Sequence, residues 1–151
     1  MKVRIVNEKI NLIPFYKNEK VAIDWYQDKD LVKQVDNVEE PYTIEKLNRM
    51  YSYLDTHGDC FYIEYEKILV GDITLCDDGE ISIVICRDYQ NKHIGRKCVF
   101  DMIELAKEKG FNRVYAKIYS FNAQSQKMFQ KVGFKKEDNE LYVFRLKNKI
   151  N

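Results

Sequence analysis

The sequence predicts an α+β (mixed α/β) domain, with a mostly antiparallel central sheet flanked by helices. Three observations predict it. Residues 60–66, 68–76 and 80–86 are rich in β-branched and aromatic side chains. The tight turns Glu66-Lys67 and Asp77-Asp78-Gly79 separate them, which reads as a three-strand meander. At Ile94 the apolar spacing switches to that of a helix, through Cys98, Val99, Met102, Ile103 and Ala106. A strand, a helix and a strand pair then follow in alternation. The 151 residues suit one domain over 1–151. A chain of this length buries roughly 68–70% of its unfolded surface, enough for a core without covalent staples.

Taken in order, residues 2–6 alternate as a first strand, which continues to Ile13 and is closed by Pro14. Residues 19–28 read as a helix with Val21, Ala22 and Trp25 on one face, and Asp30 caps a short turn over 31–35. An acidic loop occupies 36–41. Thr43 opens a helix in a capping arrangement, with Ile44, Leu47, Tyr51 and Leu54 on one face and Gly58 as its stop. After the meander, a polar turn over 87–92 leads into the helix from Ile94, which ends at Lys109-Gly110. Residues 113–119 form a strand with Val114, Ala116 and Ile118 on one face. Residues 122–132 form a helix, capped by Asn122 and stopped by Gly133. Residues 134–136 and 141–146 close the fold as a hairpin around Asp138-Asn139.

Composition narrows the setting. The N-terminal octet Met-Lys-Val-Arg-Ile-Val-Asn-Glu lacks a long apolar core, and no run is long enough to span a bilayer. A cytoplasmic protein with no membrane partner is expected. Cys60, Cys76, Cys86 and Cys98 form no CxxC pair and read as reduced thiols. With His57 and His93 as its two histidines, the chain is expected to hold no metal. Charge is unevenly distributed. Residues 1–90 carry 11 Lys+Arg against 18 Asp+Glu, a balance of −7; residues 91–151 carry 14 against 6, a balance of +8. The C-terminal half therefore suits an anionic ligand and the N-terminal half a cationic one. The basic residues form no dense run and no RNA-binding aromatic signature accompanies them, so no nucleic-acid partner is expected.

Two stretches carry the chemistry. The first is Ile83-Val84-Ile85-Cys86-Arg87-Asp88-Tyr89-Gln90-Asn91-Lys92-His93-Ile94-Gly95-Arg96. A strand that turns directly into a helix presents free N–H groups and the positive dipole end, a ready anion site. Gly95 allows close approach to the backbone. The second runs from Asn122-Ala-Gln-Ser125 through Met128-Phe129 to Gly133-Phe134. The first stretch resembles the acyl-CoA pyrophosphate loop of the GCN5-related N-acetyltransferases (GNAT), Gln/Arg-x-x-Gly-x-Gly/Ala. Gln90 and Gly95 match, and His93 stands where the first glycine is expected, which a negative φ at His93 would accommodate. Asn91 replaces another frequent glycine and tolerates positive φ. The second stretch closely resembles that family's Asn-x-x-(Ala/Ser)-x-x-(Leu/Met)-(Tyr/Phe)-x-x-x-Gly-Phe signature. The motifs stand in the right order and spacing, and with their elements cover residues 79–134. The segment from Ala22 to Asp28 resembles the branch containing ribosomal-protein, aminoglycoside and polyamine acetyltransferases.

The resemblance implies a GNAT-like acyl-CoA N-acyltransferase fold and transfer of acetyl from acetyl-CoA, as co-substrate, to a primary amine. It implies that the pantetheine arm lies along Ile83, Val84 and Ile85. The pyrophosphate would rest on the backbone N–H groups of Asn91, Lys92, His93, Ile94, Gly95 and Arg96, in the cofactor-binding loop that Gln90 opens, with charge added by Arg96 and Lys97. Asn122, Ser125 and Phe129 would face the arm. Besides His93 and Asn91, the chain departs from the family at two positions where catalytic groups are expected: Phe129 stands where many members have a proton-donating Tyr, and Lys117 where some branches have an acid. Glu80, at the start of the central strand, is the candidate base, and Tyr119 a candidate donor. The acceptor expected is a small cationic amine drawn by the loop acids Asp28, Asp36, Glu39, Glu40, Asp77 and Asp78. The alternative is a CoA-binding regulatory module with catalysis lost. A homodimer is left open.

Overall fold

The computed structural model describes residues 1–147. The expected domain extends over 1–151, and residues 148–151 lie outside the described residues. Five strands form one antiparallel sheet in sequence order: β1 (Arg4–Ile5), β2 (Ile10–Pro14), β3 (Gly58–Tyr65), β4 (Ile68–Cys76) and β5 (Ile81–Ile85). A second antiparallel sheet holds β6 (Arg113–Lys117), β7 (Lys135–Asp138) and β8 (Leu141–Arg145), in the order β6-β8-β7. The helices are α1 (Glu19–Tyr26), α2 (Lys29–Asp36), α3 (Ile44–Thr56), α4 (Ile94–Glu108) and α5 (Ala123–Val132).

The N-terminal strand is two strands, not one continuous element. Asn7 Oδ1 accepts from the N–H groups of Lys9 and Ile10, both at 2.8 Å, and reverses the chain. A short amide side chain offers the backbone a turn in place of a ladder. The expected helix over 19–28 stops at Tyr26, because Asp28 leaves it to cap α2. Asp28 Oδ1 accepts from Asp30 N at 3.0 Å and Leu31 N at 3.2 Å. Asp30 is therefore inside the first turn rather than the cap, and the expected short turn is a two-turn helix. Val21 and Ile44, expected on buried faces, are exposed; Ala22, Trp25 and Tyr26 on α1, and Leu47, Tyr51 and Leu54 on α3, face the core. The stop of α3 is His57, and Gly58 begins β3. A Cβ on Gly58 would lie 2.5 Å from the Leu75 carbonyl oxygen, so this glycine serves close strand pairing. Within the polar turn, residues Arg87–Tyr89 form one 3₁₀ turn. The closing hairpin turns at Asn139-Glu140, with Glu140 at φ 59°.

Two cores flank the five-stranded sheet. Alternation sends Ile81, Ile83 and Ile85 toward α4, whose six predicted apolar positions are all buried. Val84 faces the other way, into the core formed with α1, α2 and α3. Fully burying an Ile, Val or Met side chain stabilises by about 1.5–3 kcal/mol, and the α4 stripe repeats this along its length. The second core encloses a charge-bearing group. Asp72 on β4 is 1% exposed and accepts at one oxygen from Tyr26 (2.7 Å) and Tyr51 (2.8 Å). Burial pushes its carboxyl up to about 6, against the two hydroxyls that favour the charged form. The four cysteines are free thiols, as expected; Cys60, Cys76 and Cys98 are buried and Cys86 is half-buried.

Candidate functional site

The two sheets touch at one parallel bridge, Glu80 with Tyr115, where Tyr115 N donates to Gly79 O at 3.0 Å. Beyond the bridge β5 and β6 belong to separate sheets, and a cleft opens between them. Antiparallel alternation determines which groups of β5 face it. Cys76 N donates to Glu80 O and Cys86 N to Val70 O, so the even-numbered residues bond β4. Ile83 and Ile85 turn their N–H and C=O groups away from β4, and the Ile85 carbonyl is taken by the Gln90 side chain. Two cavities flank this edge, of about 540 and 620 Å³, and share Gln34, Val35, Ile83, Val84 and Ser125.

The first cavity lies between β5, the β5–α4 loop and α5. Its walls include Ile83, Val84, Ile85, Gln90, Asn91, His93, Ile94, Gly95, Arg96 and Ser125 from the expected set. Lys92 is outside this lining, and Asn122 and Phe129 line the second cavity instead. The start of α4 has no side-chain cap and no acid in its first turn. Arg96 and Lys97 stand there instead, against the positive dipole end, an arrangement that a bound anion relieves. Lys127 and Lys131 on α5 add two more positive charges to the wall, and no Asp or Glu lines it among the described residues.

The loop conformation matches one expectation and corrects another. Asn91 takes a left-handed φ of 62°, as asparagine permits. His93 does the same, at φ 64°, so the negative φ that would excuse the missing glycine is not adopted. A non-glycine residue in this region carries a conformational cost that the surrounding structure must offset. Gly95 is helical. A Cβ there would meet Ile85 Cδ1 at 3.3 Å and Met128 Cε at 3.5 Å, so this glycine sets α4 close against the floor of the cleft. The Gln90 side chain turns inward, its Nε2 donating to Ile85 O at 2.8 Å.

The second cavity is acidic. Asp36, Glu80, Asp138 and Glu140 line it with Lys117, beside Tyr26, Tyr42 and Tyr119. Of the six loop acids expected there, Asp36 is in the wall. Asp28 instead holds Arg87 (Oδ2 to Nε, 2.9 Å) and caps α2, and Asp78 accepts from the Tyr115 hydroxyl at 2.5 Å. Glu39, Glu40 and Asp77 are also outside the lining. Burial raises the Glu80 carboxyl above the usual carboxylate range; Lys117 opposes this and Asp78 adds to it. Phe129 is 2% exposed and meets Phe134 edge-on at 5.0 Å, with part of its surface in the cavity wall. Tyr119 stacks on Phe121 at 5.4 Å, and burial raises its phenol above the ordinary value, so it holds its proton.

Sequence reasoning missed Gln34, Val35, Tyr89, Lys127, Met128 and Lys131 as lining residues. The lysines had a signal: they are four apart on α5 and share one helix face. Gln34 had none, because α2 reaches the cleft through tertiary packing. At the α5 N-terminus, Asn122 Oδ1 accepts from Ser125 N at 3.2 Å, and Asn122 Nδ2 donates to Ser125 Oγ at 3.1 Å.

Comparison with known proteins adds to this geometry. A family model described as an acetyltransferase (GNAT) domain matches residues 9–135. A probable N-acetyltransferase, camello, of Xenopus tropicalis is 30% identical over 98 residues; the match covers 60% of this chain and 45% of that protein, so less than half of the relative is spanned. An acetyltransferase of the GNAT family from Bacillus anthracis superposes with a TM-score of 0.80 at 20% identity, covering 95% of this chain and 98% of that one. Spermidine N-acetyltransferase from Vibrio cholerae, solved with CoA and spermine, superposes with a TM-score of 0.73 at 16% identity, covering 91% and 93%. At these identities the two structures establish a shared fold.

Proposed function

This chain belongs to the GNAT acetyltransferase family, and from that premise we propose that it transfers the acetyl group of acetyl-CoA to a primary amine of a small cationic molecule. One observation carries the reading. A basic cavity and an acidic cavity, lined respectively by Arg96, Lys127 and Lys131 and by Asp36, Glu80, Asp138 and Glu140, meet along Ile83 and Val84. The first fits the phosphates and arm of acetyl-CoA: it has N–H groups at the start of α4 with no side-chain cap, basic side chains, and the outward N–H and C=O of Ile83 for the arm's amides. The second fits a cation. We assign the activity to one domain, acting in the cytoplasm with neither nucleic acid nor membrane as partner. No helix among the described residues is long and apolar enough to cross a membrane.

Acetyl-CoA supplies a thioester whose carbonyl carbon is the electrophile. Glu80 takes a proton from the incoming ammonium, directly or through one water, and burial makes it a stronger base than an ordinary glutamate. The neutral amine then forms the C–N bond while the C–S bond breaks. Phe129 offers the departing sulfur an apolar contact and no proton. A thiol of pKa about 8.5 is a tolerable leaving group, and the thiolate takes up, directly or through water, the proton that the newly acylated nitrogen sheds; Tyr119, its phenol raised, keeps its own.

A second reading, a CoA-binding regulatory module with catalysis lost, is favoured by Phe129 and Lys117 at the two departed positions. A thermal-shift titration with acetyl-CoA followed by a free-CoA release assay across an amine panel decides. Stabilisation with release for polyamines or aminoglycosides, weakening as salt rises, supports the enzyme. Stabilisation without release for any amine supports the module. Equal turnover of anionic or neutral amines removes the cationic acceptor.

A further inference from the structure

Gln34 lines both cavities at their junction. It is half-buried near the end of α2, and its polar groups reach both walls of the cleft. Its Nε2 donates to Asn122 Oδ1 at 3.3 Å, and Asn122 Nδ2 donates back to the Gln34 carbonyl oxygen at 3.3 Å. On the other wall Gln90 Nε2 lies 3.5 Å from Gln34 Oε1 while bonding Ile85 O at 2.8 Å. One carboxamide thus bridges the β5–α4 loop and the N-cap of α5, across the open edge of β5. The three contacts to Gln34 are at the long end of the hydrogen-bond range, so they exchange readily for bonds to a ligand amide. The Gln90 bond to β5 is short and holds its wall in place.

We propose that Gln34 is a positioning residue that latches α2 over the pantetheine arm and holds the thioester at the junction of the two cavities. This rests on assigning the first cavity to acetyl-CoA. The arm contains two secondary amides, each a donor and an acceptor, and the Gln34 carboxamide complements either. α2 is anchored at its opposite end, where Asp28 caps the helix and pairs with Arg87 at 2.9 Å. Beyond Gln34 the Tyr42 hydroxyl donates to Asp36 Oδ2 at 2.6 Å, so both ends of α2 are tied down and Gln34 is the side chain that carries the helix across the cleft.

The test compares CoA with adenosine 3′,5′-bisphosphate, a fragment without the arm, by calorimetric titration of wild type, Gln34→Leu and Gln34→Glu. Leu keeps helix propensity and bulk and removes every side-chain hydrogen bond; Glu keeps length and acceptors and removes the donors. Gln34→Leu is expected to weaken CoA about tenfold, the loss of one or two hydrogen bonds, with affinity for the fragment unchanged. Gln34→Glu is expected to fall between. In turnover, KM for acetyl-CoA rises and kcat falls, because the thioester is no longer held at the junction, and CoA dissociates faster in stopped flow. Equal weakening of CoA and fragment would mean general damage to the cavity and overturn the latch, as would unchanged CoA affinity in both variants. Failure of wild type to bind CoA at all would overturn the cavity assignment itself, and is visible before any variant is measured.

Discussion

Glu80 and Tyr115 are joined by a parallel backbone bridge, and this tie places the Glu80 carboxyl at the inner end of the cleft, across from Lys117 on the next strand. The bridge holds the candidate base where the two sheets begin to part, and the cleft's depth there is what desolvates it.

Glu80→Gln is expected to lower kcat/KM by about 10²–10⁴-fold, the usual worth of a positioned base, with little change in CoA affinity. The pH profile gives the sign. Protonated Glu80 cannot accept a proton, so kcat/KM falls as pH drops through its raised pKa, at higher pH than for an ordinary glutamate. Lys117→Ala removes the positive charge that opposes the rise and moves this acid limb further up. An acid limb unmoved by Lys117→Ala would separate Glu80 from the chemistry.

Phe129→Tyr restores the hydroxyl that many family members carry. The expected result is a higher kcat with unchanged KM for acetyl-CoA, a partial share of the about 10²–10⁴-fold of a well-placed acid. The ring also packs on Phe134, so melting temperature is measured on the same variant. A hydroxyl buried there without a partner would destabilise by about 1–3 kcal/mol and leave kcat flat, which would remove Phe129 from the reaction.

Gly95→Glu is expected to abolish stabilisation by CoA. The new Cβ enters the space held by Ile85 Cδ1 and Met128 Cε, and the carboxylate brings negative charge to the cavity of Arg96, Lys127 and Lys131. Gly95→Ala, a single methyl 3.3 Å from a flexible side-chain tip, retains part of the affinity. Wild-type binding by Gly95→Glu in a thermal-shift titration would place the phosphates elsewhere.

Asp72 makes stability depend on pH. Its folded pKa, about 6, is above the ordinary 3.8, so the folded state binds a proton more tightly than the unfolded chain. Its contribution is therefore most favourable below pH about 4 and is lost as pH rises through about 6. The difference, 6 − 3.8, corresponds to about 3 kcal/mol at neutral pH. Asp72→Asn keeps an oxygen to accept from Tyr26 and Tyr51 and does not titrate. The melting-temperature advantage of Asp72→Asn over wild type should grow from pH 4 to pH 6 and then level off. A difference independent of pH would show that Asp72 does not titrate in this window.

The sequence by itself determined the elements whose signal is local. The helix from Ile94 was legible because its six apolar positions share one face, and the meander because Gly79 and the Glu66-Lys67 pair mark its turns. The two motifs that carry the family resemblance were legible for the same reason: strand-to-helix punctuation and a capped helix are written in consecutive residues. Tertiary structure decided what depends on distant partners. It set the parting of β5 from β6 after one bridge, and the inward turn of Gln90 onto Ile85. It also drew Asp28 away from the acceptor cavity to cap α2 and hold Arg87. The left-handed His93 and the reach of Gln34 to Asn122, 88 residues away, belong to this class. Periodicity and capping are properties of a few neighbouring residues. The direction of a polar side chain is set by whichever partner, from any part of the chain, packing brings within hydrogen-bond distance.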